Sequence, residues 1–393
     1  MTVDHWRACE WGDLAELKYG RALTGYRDGR GATTVFGTNG AVGTTDAAPQ
    51  DDGPGVVVGR KGAYRGIHYS PGPFYVIDTA FWLDPIDDVD IRWAYYELLT
   101  HDINTMDSGS AIPSTSRDAF YKMPVMLPPL EEQRRIVDVL GALDDKIASN
   151  TRSIGLAEEL GDALLRARMT IDSDGEPAWR AEPLGELLTV LETGTRPRGG
   201  IKEIAGGVVS LGAENVQSAG VSKARRFKYV PEDFAAKMTR GKLVDGDVLV
   251  YKDGGKPGNF IPHVSAFGEG FPVAHAVINE HVYRVRAGAP VTQGLLYWVL
   301  RSEWLDREMR NRGTGAAIPG INSTNFRSLP FPVLADDTVN ELSQFLDTLL
   351  QRMLMYGSEI QSLETTRNAL LPELISGRLR VDSQSHAAQE ATP

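Results

Sequence analysis

The sequence predicts an α+β protein in which two similar globular segments alternate with two long helices that pack antiparallel, giving the chain pseudo-two-fold symmetry. Three observations predict this fold class. One part of the chain repeats another at a constant shift of 206 residues. Each copy carries a heptad pattern of apolar residues, which is typical of long helices that pack on each other. Short β-rich runs precede each heptad pattern in the same order.

The repeat covers residues 109–169 and their counterparts, and the alignment needs no gap. A repeat of this kind decides the architecture, because each copy is one structural unit. The aligned pairs include Ile112 with Ile318, Pro113 with Pro319, Phe120 with Phe326, Pro124 with Pro330, Ile136 with Leu342 and Leu143 with Leu349. The pattern therefore indicates two equivalent helices, each entered through a proline-rich segment.

The first globular segment, residues 1–128, mixes strands with turns. Residues 56–58 form a β-branched run between glycine and proline, and residues 74–83 form an aromatic and β-branched run with proline on each side. Residues 91–99 have helical apolar spacing. We therefore expect an α+β domain.

The first long helix is expected within residues 129–171, since Pro128 and Pro129 suit a first helical turn and Glu131 and Glu132 favour the positive end of the helix dipole. Its apolar seam has spacings of four and three residues and comprises Ile136, Leu140, Leu143, Ile147, Asn150, Ile154, Ala157, Gly161 and Leu164. Asn150 either fixes the register with a buried partner or marks a solvated position in the seam.

The second half of the chain repeats this order. Residues 172–178 are expected to form a linker, residues 179–333 a second α+β domain, residues 334–378 a second long helix and residues 379–393 a disordered tail. A helix is expected at residues 294–309. The second seam, which Arg367 interrupts, comprises Leu342, Leu346, Leu349, Met353, Tyr356, Ile360, Leu363 and Leu370.

An antiparallel pairing follows from the linker length. Helices of about 38 residues are roughly 57 Å long. A seven-residue linker reaches only about 25 Å when extended. It cannot return the chain to the start of the first helix, so the helices must run in opposite directions.

Composition limits the class of protein. The single cysteine, Cys9, excludes an internal disulfide and favours a reducing compartment such as the cytoplasm. No secretory signal or membrane-spanning run is visible, so we expect a soluble protein. The net charge of −11 is unevenly distributed, because residues 179–330 hold 20 basic and 15 acidic side chains. A basic second domain remains compatible with nucleic-acid binding.

The stretches GSAIPSTSRDAFYKMPV, LPPLEEQRRIVDVLGALDDKIASN and GTGAAIPGINSTNFRSLPFPV resemble the specificity subunit of type I restriction-modification systems. The resemblance covers essentially the whole chain. It implies two target-recognition domains that each read half of a bipartite site in double-stranded DNA. It also implies helices that dock two adenine-N6 methyltransferase subunits, which carry S-adenosylmethionine, and optionally restriction subunits, which are ATP-dependent nucleases. The docking residues expected at the start of the first helix are Leu130, Glu131, Glu132 and Gln133.

Basic and amide side chains on glycine-rich loops are the candidate DNA contacts, since arginine suits guanine, asparagine suits adenine and lysine suits phosphate. In the first domain they are Thr38, Asn39, Arg60, Lys61, Tyr64, Arg65 and His68. In the second domain they are Arg196, Arg198, Asn215, Lys223, Arg225, Arg226, Lys252, Lys256 and Asn259.

No catalytic or metal-binding motif stands out. The sequence has no phosphate-binding loop motif, and its only Pro-Pro pair is not the tetrapeptide of adenine methyltransferases. His275 and His281 lack the partners of a zinc site. We therefore expect a non-catalytic subunit without its own cofactor. Two alternatives stay open: a self-contained methyltransferase or nuclease-associated DNA-binding protein of unusual sequence, and a coiled-coil scaffold without a DNA role.

Overall fold

A computed structural model describes residues 5–106, 113–169, 179–201, 204–221, 227–256, 259–315, 319–333 and 338–381. The chain folds into two compact units. Unit 1 comprises Met1–Asp145 and Glu364–Pro393, and unit 2 comprises Lys146–Leu363. Both boundaries cut through the long helices, so each unit contains part of both helices. The expected linker 172–178 and residues 382–393 of the expected tail lie outside the described residues.

Unit 1 is an α+β fold with a four-stranded and a three-stranded sheet. Its elements are β1 (Arg7–Glu10), α1 (Trp11–Leu14), β2 (Ala15–Tyr19), β3 (Thr33–Gly37), β4 (Gly40–Thr45), β5 (Gly55–Gly59), β6 (Ile67–Ser70), β7 (Phe74–Val76), β8 (Ala80–Pro85), α2 (Ile91–Leu98), α3 (Arg117–Tyr121), β9 (Pro124–Leu127) and the first part of α4 (Leu130–Arg168). The antiparallel sheet has the order β2-β8-β5-β6, the smaller sheet has the order β4-β3-β7, and β1 pairs with β9.

The core of unit 1 forms where α2 packs against β5 and β6. Asp90 begins α2 by accepting hydrogen bonds from the backbone N–H groups of Arg92 and Trp93, which satisfies donors that the helix leaves free. Trp93 and Tyr96 on the inner face of α2 are fully buried. The sheet and the helix thus share one apolar layer.

Unit 2 repeats this topology. Its elements are β10 (Ala181–Pro183), α5 (Leu184–Leu187), β11 (Leu188–Thr193), β12 (Val208–Leu211), β13 (Lys228–Val230), α6 (Glu232–Lys237), β14 (Asp247–Tyr251), β15 (Gly255–Lys256), β16 (Asn259–Phe260), β17 (His263–Phe267), β18 (Ala276–Ile278), β19 (Val282–Ala287), α7 (Gln293–Arg301), α8 (Glu303–Asn311), α9 (Ser323–Arg327), β20 (Pro330–Pro332) and α10 (Thr338–Ile375). The sheet orders are β11-β19-β14-β17 and β13-β12-β18, and β10 pairs with β20.

Corresponding strands also pair in the same directions. The parallel pair β3–β7 of unit 1 corresponds to the parallel pair β12–β18 of unit 2. The central strand of each three-stranded sheet also has one antiparallel neighbour, which is β4 beside β3 and β13 beside β12. Phe120 and Phe326, which the sequence repeat aligns, are both fully buried. The sequence repeat therefore corresponds to a repeated fold, with one copy in each unit.

Two expected elements are divided. Residues 74–83 form two strands in different sheets, because the chain turns at residues 77–79, where the Ala80 N–H donates to the Ile77 carbonyl at 3.1 Å. The helix expected at 294–309 is two helices, because Ser302 ends α7 and its side chain caps α8 by accepting from the Leu305 N–H. Apolar spacing alone did not reveal these turns.

In unit 2 the segments of α4 and α10 run antiparallel. Asn150 is buried and its amide donates to the Glu359 carboxylate at 2.8 Å. Further along, Gly161 on α4 and Leu346 on α10 both approach Trp298. Asn150 therefore has a partner and is not a solvated position. A buried amide that hydrogen-bonds across two helices in this way fixes their register.

The expected seam residues differ in burial. Ile136, Leu140, Ile154, Leu342, Leu346 and Met353 are buried, whereas Leu143, Ile147, Leu349, Tyr356 and Ile360 are half-buried. In unit 1, Arg367 donates to Asp144 at 2.7 Å, so the arginine that interrupts the seam forms an ion pair between α10 and α4.

Candidate nucleic-acid interface

The glycine-rich loop at residues 59–66 of unit 1 is held by backbone hydrogen bonds at both ends. The Gly59 N–H donates to the Gly66 carbonyl at 2.8 Å, and the Gly66 N–H donates to the Thr38 carbonyl at 3.0 Å. In the middle, the Gly62 N–H donates to the Pro113 carbonyl at 3.0 Å. Gly62 has a φ of +120°, which a side chain would disfavour. The loop thus has a defined shape.

Arg65 supports this loop from inside the protein, and this corrects its expected role as a DNA contact. It is only 4% exposed. Its guanidinium donates to the carbonyls of Gly62, Ile103, Asn104 and Met106 at 3.0–3.1 Å. A side chain with this many internal acceptors is committed to the fold, and it leaves little for a base or phosphate to bind.

The other candidates on the loop lie nearer solvent. Arg60 donates to the Asp78 carbonyl at 3.0 Å and lies 4.9 Å from the centre of the Tyr19 ring. Lys61 forms an ion pair with Asp78 at 3.5 Å. Tyr64 is 81% exposed. The loop therefore presents two cations and an aromatic ring, a combination that suits phosphate and base contacts.

The turn between β3 and β4 lies against this loop. Asn39 is exposed and Thr38 is half-buried. The imidazole Nε2 of His68 lies 3.3 Å from the Thr38 carbonyl. Burial lowers the pKa of His68, while the hydrogen bond with Thr38 acts in the opposite direction. His68 is therefore neutral near pH 7 and does not attract phosphate by charge.

Unit 2 has a polar cleft at the corresponding edge, lined by Arg196, Glu214, Tyr251, Asp253 and His281, among others. Lys252, a predicted DNA contact, pairs with Asp253 at 2.6 Å, and Arg196 pairs with Glu280 at 3.2 Å. Both cations thus have carboxylate partners within the unit. Acidic residues share this edge with the expected basic ones.

The remaining candidates of unit 2 fall into three groups. Arg198 and Asn259 are exposed. Asn215 is 4% exposed and its side-chain oxygen accepts from the Gly212 N–H at 3.0 Å, so its expected role as a base reader is revised to a role in the turn. The side chain of Lys256, together with Lys223, Arg225 and Arg226, lies outside the described residues.

The carboxylates of the cleft were not among the sequence candidates. Glu214 receives a hydrogen bond from Lys228 that lowers its pKa, although burial acts against the charged form. Asp253 faces His281, with Nδ1 to Oδ2 at 3.2 Å. The available signal was the alignment of YKDGG with GRKGA, which places Asp253 where the first copy has Lys61. Basic composition alone does not point to this aspartate.

The docking residues expected on α4 differ in their exposure. Gln133 is 1% exposed; its side chain accepts from the Asp90 N–H at 2.8 Å and donates to the Pro128 carbonyl at 2.9 Å. Its expected role in docking is therefore revised, since its side chain joins α4 to its own unit. Glu132 accepts a hydrogen bond from the Trp6 indole at 2.9 Å. Glu131 remains exposed.

Comparison with known proteins shows which family part of the chain matches. Residues 4–158 match the family described as type I restriction modification DNA specificity domain. The MjaVIII specificity subunit of a Methanocaldococcus jannaschii type I restriction enzyme is 20% identical over 313 residues, which are 75% of this chain and 71% of that protein. The chain is therefore similar to type I specificity subunits, and its residues 4–158 match their DNA specificity domain.

Further relatives agree. The MjaIX specificity subunit of the same organism is 19% identical over 323 residues, covering 76% of this chain and 71% of that protein. The crystal structure of the type I S subunit from M. genitalium matches 97% of each chain with a TM-score of 0.62 at 15% identity, which shows a shared fold. Both relatives are named specificity subunits of type I restriction enzymes.

No group of three or more histidine, cysteine, aspartate or glutamate side chains is placed to hold a metal ion among the described residues. No helix in the described ranges combines the length and apolarity that a membrane span requires.

Proposed function

We propose that this chain is a type I specificity subunit, that each of its units reads one half of a bipartite site in double-stranded DNA, and that α4 and α10 set the gap between the two halves. The observation that carries the proposal is the repeated topology, in which the loop that follows β5 in unit 1 corresponds to the segment that follows β14 in unit 2. Two equivalent readers joined through paired helices suit a split sequence, because the spacing of half-sites reflects the spacing of the readers. The two units are then target-recognition domains related by pseudo-two-fold symmetry.

The reading edge of unit 1 consists of the loop at residues 59–66 and the turn at Thr38 and Asn39. That of unit 2 consists of the polar cleft and the neighbouring Arg198 and Asn259. Cations at these edges supply affinity through phosphate, while base edges in the major groove supply sequence preference. The overall charge of −11 opposes binding by the isolated chain, so we expect weak and salt-sensitive binding without partners.

The proposed partners are two modification subunits, adenine-N6 methyltransferases that carry S-adenosylmethionine, and optionally ATP-dependent restriction subunits. Exposed apolar side chains on the long helices support a docking role, because isolated exposure is common but a shared face favours a partner. Leu156 and Leu160, 59% and 43% exposed, lie one turn apart on α4. Phe345 and Met355 of α10 are 45% and 53% exposed. A cytoplasmic location, which the lone Cys9 favours, completes the proposal.

Selection from random duplex DNA tests this function. The chain is purified with its modification subunits and allowed to enrich bound sequences. We expect a bipartite motif with a fixed gap, and methylated adenines in both halves when S-adenosylmethionine is added. A single contiguous motif contradicts two separate readers. No enrichment favours a scaffold without a DNA role, and methylation by the chain alone favours a self-contained methyltransferase.

A matched pair of variants tests the edge of unit 1. Arg60→Ala is expected to weaken binding to the selected sequence more than to scrambled DNA, because a base contact contributes only to the former. Lys237→Ala removes an exposed cation of α6 that pairs with Asp233, and we expect it to change both affinities equally. Equal losses for Arg60→Ala on both DNAs contradict base reading by Arg60.

A further inference from the structure

Lys61 of unit 1 and Asp253 of unit 2 occupy equivalent positions, as their backbone neighbours establish. Arg60 precedes Lys61, and its N–H donates at 2.9 Å to the carbonyl of Thr79, the residue just before β8. Lys252 precedes Asp253, and its N–H donates at 3.0 Å to the carbonyl of His281, the residue just before β19. Lys61 forms an isolated bridge with Ser114, and Asp253 forms one with Gly320. Ser114 and Gly320 are 206 positions apart, the shift of the sequence repeat.

The residue that follows confirms the equivalence. The Gly62 N–H donates to the Pro113 carbonyl at 3.0 Å, and the Gly254 N–H donates to the Pro319 carbonyl at 2.8 Å. Pro113 and Pro319 are again 206 positions apart. The same backbone frame therefore carries an ammonium group in one unit and a carboxylate in the other.

The two side chains face partners of opposite character. Lys61 pairs with Asp78 at 3.5 Å. The Oδ2 atom of Asp253 accepts a hydrogen bond from Lys252 Nζ at 2.6 Å and lies 3.2 Å from His281 Nδ1. Oδ1 accepts no hydrogen bond from the residues that the structure describes. Lys252 and His281 thus act as positioning residues that orient the carboxylate and leave its second oxygen for a ligand.

A carboxylate at a DNA-reading edge is unfavourable against phosphate, since like charges repel. It is favourable where a base presents a hydrogen-bond donor. In the major groove the donors are the amino groups of cytosine and adenine, and carboxylates pair with the cytosine N4 amino group. Asp253 lines a concave cleft with Arg196 and Tyr251, where a base edge rather than the outer phosphate backbone can be enclosed.

We propose that Asp253 is a specificity-determining residue, whose carboxylate accepts a hydrogen bond from the N4 amino group of a cytosine in the half-site that unit 2 reads. Lys61 at the equivalent position donates to guanine or phosphate in the other half-site. This inference rests on the proposed function. It explains why two readers of one fold recognise different half-sites: the same frame presents an acceptor in one and a donor in the other.

The test is a DNA selection with the complex of this chain and its modification subunits, comparing wild type with Asp253→Asn. Asparagine suits adenine, so the variant is expected to lose cytosine preference by roughly tenfold at one position and to gain adenine there. The half-site read by unit 1 is expected to stay unchanged. Asp233→Asn, an exposed carboxylate on α6, serves as the control and is expected to leave both half-sites unchanged.

Unchanged base preference in Asp253→Asn overturns the inference, as does a uniform rise in affinity for all sequences, which reflects only a lost negative charge. If Asp253→Asn fails to fold, Asp253→Glu keeps the carboxylate and is expected to retain cytosine at reduced affinity; loss of cytosine there overturns the inference. If the wild type selects a bipartite motif and Asp253→Asn selects the same bases, only the role assigned to Asp253 is refuted. A wild type without a bipartite motif refutes the proposed function.

Discussion

Replacing Arg65 by methionine tests whether this buried side chain shapes the reading loop or binds DNA itself. Methionine keeps an unbranched apolar chain but removes all donors. The four carbonyls of Gly62, Ile103, Asn104 and Met106 then lose their guanidinium partner. Hydrogen bonds to charged groups contribute about 1.5–3 kcal/mol each, so roughly 6–12 kcal/mol is at stake if the four bonds add.

The expected loss is smaller, because water reaches the carbonyls once the loop opens and neighbouring bonds do not add. We expect local opening to become easier by about 3 kcal/mol, which corresponds to roughly a 100-fold loss of protection from hydrogen exchange. Hydrogen exchange followed by mass spectrometry measures this at residues 59–66, where the Arg65 N–H donates to Asn104 Oδ1 at 2.7 Å. Peptides of unit 2 supply the internal reference.

Arg65→Lys is the matched variant. It keeps the charge but replaces the planar fork with a single ammonium group, so protection is expected to lie between wild type and Arg65→Met. DNA binding is expected to fall in the same order as protection. If Arg65→Met keeps full protection yet loses DNA affinity, then Arg65 contacts DNA directly and its structural role is refuted.

Two further predictions concern packing and pH. An added Cβ at Gly161 lies 2.5 Å from the Trp298 ring, whereas nothing lies within 4 Å of one at Gly155 on the same helix. Gly161→Ala is therefore expected to destabilise unit 2 by about 1–3 kcal/mol through overpacking, while Gly155→Ala stabilises it by about 0.5–1 kcal/mol; shifts of the same sign in chemical denaturation contradict this. In unit 1, the hydrogen bond with Glu97 at 2.7 Å raises the pKa of His101. Because the pKa of His101 is higher in the folded state, protonated His101 stabilises the fold fully below about pH 6.5, the pKa of the unfolded state. This stabilisation is lost as the pH rises through the folded-state pKa. Denaturation at pH 6 and pH 8 is expected to show this loss in wild type and not in His101→Gln, and equal pH dependence of the two proteins contradicts the assignment.

The sequence predicted the long helices well because heptad spacing repeats over many turns and proline marks the start. The helix α4 begins at Leu130, directly after the proline pair. Asn150 was identified as a seam residue, but its partner was not, because Glu359 lies 209 positions away. Local spacing reports which face of a helix is buried, and it does not report which polar group lies opposite.

The candidate site was harder to predict, since loop residues carry no periodic signal. Arg65 and Lys61 have the same charge and lie on one loop, yet Arg65 is buried against carbonyls and Lys61 is near solvent. The difference comes from residues 103–106, which follow α2 and supply the acceptors. Asn215 differs, because its side-chain oxygen accepts from the Gly212 N–H three residues earlier in the same turn. A tertiary contact therefore decides the placement of Arg65, whereas a local turn decides that of Asn215.

Shortening both helices by one heptad tests most directly that α4 and α10 set the gap between half-sites. Deleting residues 143–149 and 360–366 keeps the seam on the same face and retains the pair of Asn150 and Glu359. Seven residues rise by about 10.5 Å, or roughly three base pairs of DNA. DNA selection with the assembled complex is expected to return both original half-sites with a gap about three base pairs shorter. The same half-sites at the original gap contradict the account.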